Sequence, residues 1–377
     1  MTTVSGAVGI RGIMAAFAAL ILAAAFTAHA GEGETTKKPA ILRDVKKILF
    51  YGDSLTDGSS FPDYVVNTLR RVWPEAGFEL MNAGICGNSA ANLVSRLKED
   101  VLARKPHLVI ITIGTNDCLQ KRPIKDYRAD LDELVRTLRA AGIGVMLVRP
   151  SHLGDAGNEK RFEDYLGAIN EVAAVYNLPV ADAHGEFLRG KVEGLEMLGP
   201  DGVHHGRHGF EGMARAVLDA LELKGAEIDK TVKPWPGVLT SWEMSDPALD
   251  GEYAPRKARG WKPYDAVGHA AKQNWYNVDF IMRGGWMPHS DAKQKQDTYY
   301  GRTYFHAPEA GDYELRLGGS TPQILWLNGK KVWEAPGLHG YHPDADFVPV
   351  RMKKGRNEIV ALSNFLVYVG VGRLEKP

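Results

Sequence analysis

Ile48-Leu49-Phe50-Tyr51-Gly52-Asp53-Ser54-Leu55-Thr56-Asp57-Gly58 joins four apolar or aromatic residues to a polar run bounded by glycines. The first part reads as a strand buried on both faces, the form strands take in parallel sheets, and the second as a tight turn. A serine on the turn leaving such a strand sits at the carboxyl edge of the sheet, where open α/β folds assemble their sites. Ser54 alone carries no chemistry, because serine is common in turns and at helix N-caps. It becomes a nucleophile only if other loops supply a base, an acid to orient that base and donors for an oxyanion.

Outward from this stretch, strands and helices alternate. Residues 61–73 carry Tyr64, Val65, Leu69 and Val72 at helical spacing and stop at Pro74. Residues 78–82 read as a second strand, which delivers Ala83-Gly84-Ile85-Cys86-Gly87-Asn88-Ser89 and a helix over 90–102 with Ser89 near its cap. The β-branched run 108–113 is a third strand, ending in Gly114-Thr115-Asn116-Asp117. A helix over 126–141 closed by Gly142, strand 145–148, helix 161–176 and short strand 179–182 follow. Gly199-Pro200-Asp201-Gly202-Val203-His204-His205 then leads into a last helix that ends near Leu223. This alternation implies right-handed crossovers and a parallel sheet covered on both faces, with Ser54, Gly87 and Asn116 at its carboxyl edge.

Lys plus Arg and Asp plus Glu both number 46, so charge favours neither nucleic acid nor an anionic membrane. With 377 residues, 44% of them hydrophobic, the chain has room for two domains. Arg11 precedes an apolar run over 13–26 that ends in Ala28-His29-Ala30, before Gly31. The run is short for a membrane span and matches a signal peptide cleaved after Ala30, so the mature protein is expected to be secreted or periplasmic and free of the membrane. Residues 31–45 read as a flexible exit from that signal.

A charged, proline-bearing linker over 224–239 separates the α/β part (46–223) from residues 240–377, where helical period disappears. Residues 303–305, 313–317, 324–327, 331–333, 347–352 and 358–362 read as short strands of an antiparallel sandwich or jelly roll. Asn328-Gly329 between two of them is a type I′ hairpin signal. Of eight tryptophans, Trp73 alone lies ahead of residue 230. Most of the others are expected in the sandwich core, with Trp326 able to face either side.

His204 is the leading base for Ser54, with Asp201 three residues ahead as the orienting acid. The Ser54 and Gly87 N–H groups and the Asn116 amide are candidate oxyanion donors. Together these pieces resemble the GDSL esterase/lipase family, also called SGNH hydrolases. Gly52-Asp53-Ser54-Leu55-Thr56 matches its first block. The segment 82–89 is similar to the second, with the oxyanion glycine on Gly87 rather than Gly84. Gly114-Thr115-Asn116-Asp117 matches the third, and Asp201-Gly202-Val203-His204 the last. Two positions depart from the family pattern, Cys86 where Ser is frequent and His205 where Pro is common, and neither removes a functional atom.

The resemblance implies a flavodoxin-like three-layer fold over 46–223, with the first strand between the second and third. It also implies serine ester hydrolysis through an acyl-enzyme, with no cofactor. The implied fold brings the Cys86 and Cys118 loops to either side of Ser54, where two free thiols and a single bridge are both open. Residues 240–377 resemble, more weakly, the galactose-binding-like modules of exported carbohydrate enzymes. That pairing points to O-acetylated polysaccharide as the ester substrate. A lipase or lysophospholipase on the same scaffold, a non-catalytic glycan-binding protein, and a sandwich that only packs remain alternatives. No metal is expected: His204, His205 and His208 lack an accompanying zinc motif, and the latter two read as rim or surface residues. Asp53 and Asp57 read as stabilising the turn, and Asp182 with His184 as strand-end structure. The loops that would shape a pocket, around Arg122, 152–160 and 191–198, carry no recognisable code.

Overall fold

A computed structural model describes residues 37–248, 254–270, 275–286, 297–320, 323–335, 337 and 339–374. The export signal over 1–30 and its cleavage after Ala30 lie outside the described residues. No helix among those described is long and apolar enough to cross a membrane.

The α/β part runs β1 (Lys47–Gly52), α1 (Ser54–Asp57), α2 (Phe61–Val72), β2 (Glu79–Gly84), α3 (Ala90–Asp100), β3 (Leu108–Thr112) and α4 (Thr115–Leu119). It continues through α5 (Ile124–Ala140), β4 (Gly144–Arg149), α6 (Ala156–Tyr176), β5 (Val180–Asp182), α7 (Ala183–Val192) and α8 (Gly209–Ala220). The five strands are parallel in the order β2-β1-β3-β4-β5, so β1 does lie between β2 and β3. Alternation along β1 splits its side chains between two cores. Ile48 and Phe50 pack with Val65, Leu69, Phe187 and Met213, from α2, α7 and α8. Leu49 and Tyr51 pack with Leu93, Leu134 and Ile169, from α3, α5 and α6. Both faces of the sheet are thereby closed, and the one free direction for chemistry is the strand ends. Phe50 is fully buried, and its truncation to Ala is expected to cost about 3–5 kcal/mol.

The packed chain begins ahead of residue 46. A short 3₁₀ turn at Ala40–Leu42 places Leu42 and Val45 in the first of these cores, so the end of the supposed flexible exit is held by apolar burial. The segment 224–239 is packed as well. Ile228 and Trp235 are buried, and Asp229 N–H donates to Thr68 Oγ1 at 2.9 Å.

The C-terminal unit contains β6 (Glu243–Ala248), β7 (Lys262–Pro263), α9 (Ala266–Ala270), α10 (Trp275–Met282), β8 (Thr298–Ala307), β9 (Gly311–Gly319) and β10 (Ile324–Leu327). It closes with β11 (Lys330–Glu334), β12 (Asp346–Met352), β13 (Gly355–Ser363) and β14 (Val367–Arg373). The strands form an antiparallel six-stranded sheet, β11-β10-β13-β8-β6-β7, and a three-stranded one, β12-β9-β14. The two sheets face each other across one core of Tyr313, Leu315, Leu317, Leu325, Ile359, Val367 and Val369, a β-sandwich. Asn328 and Gly329 both take positive φ, 51° and 81°, as a type I′ turn requires. Helices α9 and α10 are additions to the expected all-β reading of this region. Trp235, Trp242, Trp286 and Trp326 are buried, and Trp261 and Trp333 are half-buried. Trp326 faces away from the intersheet core and packs with Tyr300, Ile324, Val360 and Leu362.

Candidate active site

Ser54 is the first residue of α1, a single helical turn at the carboxyl end of β1. Asp53 caps that turn, accepting Leu55 N–H on Oδ1 at 2.9 Å, while its backbone carbonyl takes Thr56 and Asp57 N–H. The turn is fixed from below by Asn82 on β2, whose amide donates to Thr56 O at 3.1 Å and whose Oδ1 accepts Gly84 N–H at 2.8 Å. Gly84 permits the contact, because a Cβ there would meet Asp57 N at 2.4 Å. Arg96 on α3 ties the same strand ends together, donating to Gly52 O at 3.0 Å, Ala83 O at 2.8 Å and Asn88 Oδ1 at 2.8 Å. Asp53 and Asp57 are buried as carboxylates inside this mesh, and desolvation pushes each up to about 7 against the N–H groups that favour the ionised form. Their turn-stabilising reading matches these partners.

Asp201 and His204 arrive on the loop between α7 and α8. Asp201 Oδ1 accepts the N–H groups of Val203 and His204, both at 3.0 Å, and its Oδ2 lies 2.6 Å from His204 Nδ1. His204 Nε2 lies 2.9 Å from Ser54 Oγ. A carboxylate that only accepts leaves Nδ1 as the ring's donor, which makes Nε2 the acceptor for the serine proton. Burial opposes ionisation of Asp201, but the His204 ring and the two N–H groups outweigh it and hold the carboxyl below the ordinary aspartate range. The loop is pinned to the segment between β4 and α6 by Gly154 N–H donating to Gly202 O at 2.8 Å.

The three candidate oxyanion donors lie on the segments that leave β1, β2 and β3 at the carboxyl edge of the sheet. The N–H groups of Ser54 and Gly87 take no acceptor among the described residues. Gly87 has φ 77°, which disfavours any side chain, and a Cβ added there would meet no atom within 4 Å. The Asn116 amide donates to Asn88 O at 3.0 Å and to Asp53 Oδ2 at 3.3 Å. The acid–base pair reaches Ser54 at the carboxyl edge, and the candidate donors come from segments at the same edge, an arrangement suited to acyl transfer.

One open alternative is decided and one expectation needs correction. Cys86 and Cys118 are free thiols, not a bridge. β1 separates their loops, and each sulfur has its own partner: Asp57 Oδ2 at 3.3 Å for Cys86, and Asn158 O at 3.6 Å for Cys118. His205 is not a rim residue. It is buried between Phe187 and Phe210, with ring centroids at 5.3 and 5.7 Å, and anchors the loop beside His204. Desolvation drives it down to about 3, so it stays neutral. His208 is half-buried at the start of α8. Asp182 caps α7 through Gly185 N–H, and His184 Nε2 pairs with Glu159 Oε1 at 2.7 Å. Among the described residues, Glu159, Glu163 and His184 alone bring potential metal-ligating atoms within 4.8 Å of one another. Glu159 already accepts from His184 and, at 2.6 Å, from Leu153 N–H. Asn82, Arg96 and Asp57 were not legible as site residues, since each acts through contacts between loops that no local motif encodes.

A family model for the GDSL-like lipase/acylhydrolase family matches residues 50–211. An acetylxylan esterase from Geobacillus stearothermophilus is 32% identical over 208 residues, covering 46% of this chain and 92% of the relative. The chain belongs to the GDSL-like lipase/acylhydrolase family. An arylesterase from Vibrio mimicus is 26% identical over 168 residues, covering 42% of this chain and 80% of that relative. A solved structure of an acetylxylan esterase from Geobacillus stearothermophilus aligns with a TM-score of 0.45 and 28% identity, over 48% of this chain and 97% of the other. Like other members of the GDSL-like family, the chain is a carboxylic ester hydrolase. Its C-terminal unit lies beyond the residues that the family model matches.

Proposed function

We propose that the protein is an exported carbohydrate acetylesterase that removes O-acetyl groups from a polysaccharide of the xylan class. Ser54 attacks the ester carbonyl carbon while His204 Nε2 takes its proton. Asp201 holds the His204 ring and stabilises the imidazolium that forms. Negative charge on the carbonyl oxygen is taken up by the Ser54 and Gly87 N–H groups and by the Asn116 amide. The ester C–O bond then breaks as His204 gives its proton to the departing sugar oxygen, which leaves as a hydroxyl, and an acetyl-Ser54 remains. Water, deprotonated by His204, releases acetate and restores the serine.

The observation that carries this reading is the unbroken chain Asp201 Oδ2–His204–Ser54 Oγ, with links of 2.6 and 2.9 Å. The substrate class is supported by the acetylxylan esterase relative, which this chain matches over nearly all of that relative's length. Export is supported by the apolar run over 13–26 that ends at Ala30. Acetate release from acetylated xylo-oligosaccharides, compared with turnover of 4-nitrophenyl esters of increasing chain length, tests the assignment. Fast acetate release with turnover declining beyond short acyl chains is expected. Preference for long acyl chains with no release of acetate from the glycan would replace it with a lipase-type reading.

A further inference from the structure

The C-terminal unit touches the Ser54 turn at two places. Arg283, just after α10, is buried against Asp63 at 2.8 Å and donates to Ser59 O at 2.8 Å and Ser60 Oγ at 3.0 Å. Asp279 on α10 accepts from the same Ser60 hydroxyl. These contacts clamp the chain between α1 and α2. The second contact is closer to the chemistry. Tyr341 N–H donates to Asp57 Oδ1 at 2.6 Å, and His342 Nε2 donates to Gly84 O at 3.1 Å. Burial keeps His342 neutral, and Gly84 O can only accept, which fixes Nε2 as the protonated nitrogen. The remaining Asp57 oxygen, Oδ2, accepts Cys86 N–H at 3.3 Å. Cys86 directly precedes Gly87.

We propose that the C-terminal unit is a positioning element for ester hydrolysis, with Asp57 as the positioning residue that transmits its grip to the Ser54 turn and the Gly87 loop. The inference rests on the roles assigned above to Ser54 and Gly87. One carboxylate joins three segments. Its backbone lies in the turn that carries Ser54, one oxygen is held by the 340–342 loop, and the other holds the loop that presents the Gly87 N–H. Both oxygens face donors, so replacing either by an amide nitrogen sets N–H against N–H while leaving the side-chain volume unchanged. A displacement of about 1 Å between a nucleophile and an oxyanion donor costs on the order of 100-fold in rate. The unit would therefore set kcat without touching the substrate.

The test uses the full chain and 4-nitrophenyl acetate, well below each variant's melting temperature. Asp57→Asn is expected to lower kcat by roughly 10- to 100-fold, with KM changed by less than about two-fold. The rate at which a fluorophosphonate labels Ser54 should fall in parallel. His342→Ala, which removes the donor to Gly84 O, should act in the same direction by a smaller factor. Arg351→Ala, at an exposed pair with Asp312 on the sandwich surface, should leave kcat unchanged. Full kcat and labelling rate in folded Asp57→Asn would overturn the proposal and leave Asp57 with a purely structural role. If Asp57→Asn does not fold, His342→Ala decides: a lowered kcat supports the positioning role and an unchanged one refutes it. Ser54→Ala, run alongside, separates the two layers of the argument. Retained activity there would sink the serine assignment itself, whatever Asp57 does.

Discussion

The two segments that meet at Ser54 are built in opposite ways. The turn that carries the serine is sunk in the protein: Asp53 is 0% exposed and Asp57 2%, and their carboxylates are held from other segments, Asp53 by Asn116 and Asp57 by Tyr341 and Cys86. The loop that carries Asp201 and His204 lies open, with those side chains 53% and 41% exposed. Its order comes from two N–H groups on Asp201 Oδ1, from a backbone bond, Gly154 N–H to Gly202 O, and from one buried wedge, His205. An exposed ion pair contributes little to folding, whereas a buried polar group left without its partner costs about 1–3 kcal/mol. Damage in the open loop should therefore fall on rate alone, and damage around the buried turn on rate and stability together.

The largest effect expected is for Ser54→Ala, a loss on the order of 10⁵-fold or more in kcat on 4-nitrophenyl acetate. The half-buried Ser54 hydroxyl meets the open loop through His204 and not the buried mesh, so the thermal midpoint should stay nearly unchanged. Asp201→Asn should lower kcat on the order of 10⁴-fold by disfavouring the working tautomer of His204. Its stability in urea should shift by less than about 1 kcal/mol, and a larger shift would break the contrast drawn above. Asn116→Ala should cost on the order of 100- to 1,000-fold in kcat as a lost oxyanion donor. Because Asn116 also bridges Asp53 and Asn88, urea unfolding should show a loss of stability that Asp201→Asn does not.

The smallest effect concerns pH. His205 is driven down to about 3 in the folded protein, while an unfolded chain protonates histidine near about 6.5. Between those values the unfolded state binds the extra proton, so the contribution of His205 to stability is intact above about 6.5 and is lost as pH falls toward 3. His205→Leu should remove that share of the acid sensitivity, seen as a flatter melting temperature between pH 6.5 and 4. An identical slope in both proteins would show that His205 is not the neutral wedge described.

Much of this could be read from the chain because the family's functional groups sit on short loops immediately after strands, where glycine and apolar runs mark both the turn and its place in the sheet. The strand order and the roles expected of Ser54, Gly87, Asn116, Asp201 and His204 followed from that local grammar and the resemblance it supported. What stayed hidden was long-range. Nothing near Asp57 announces Tyr341, and nothing near Asp63 announces Arg283, because each partnership spans more than 200 residues. His205 was misjudged as peripheral because a histidine in a Gly-Pro-Asp-Gly loop gives no sign that Phe187 and Phe210 will close over it. Whether Cys86 and Cys118 pair is open in the sequence for a related reason: loops on either side of one strand are close in topology, yet their thiols turn to separate partners.

The central claim is that His204 activates Ser54, and covalent labelling tests it most directly. Wild-type protein treated with a fluorophosphonate, digested and analysed by mass spectrometry should carry a single adduct on Ser54, and His204→Ala should slow its formation by on the order of 1,000-fold or more. An adduct on another residue, or equal labelling rates in the two proteins, would contradict the account.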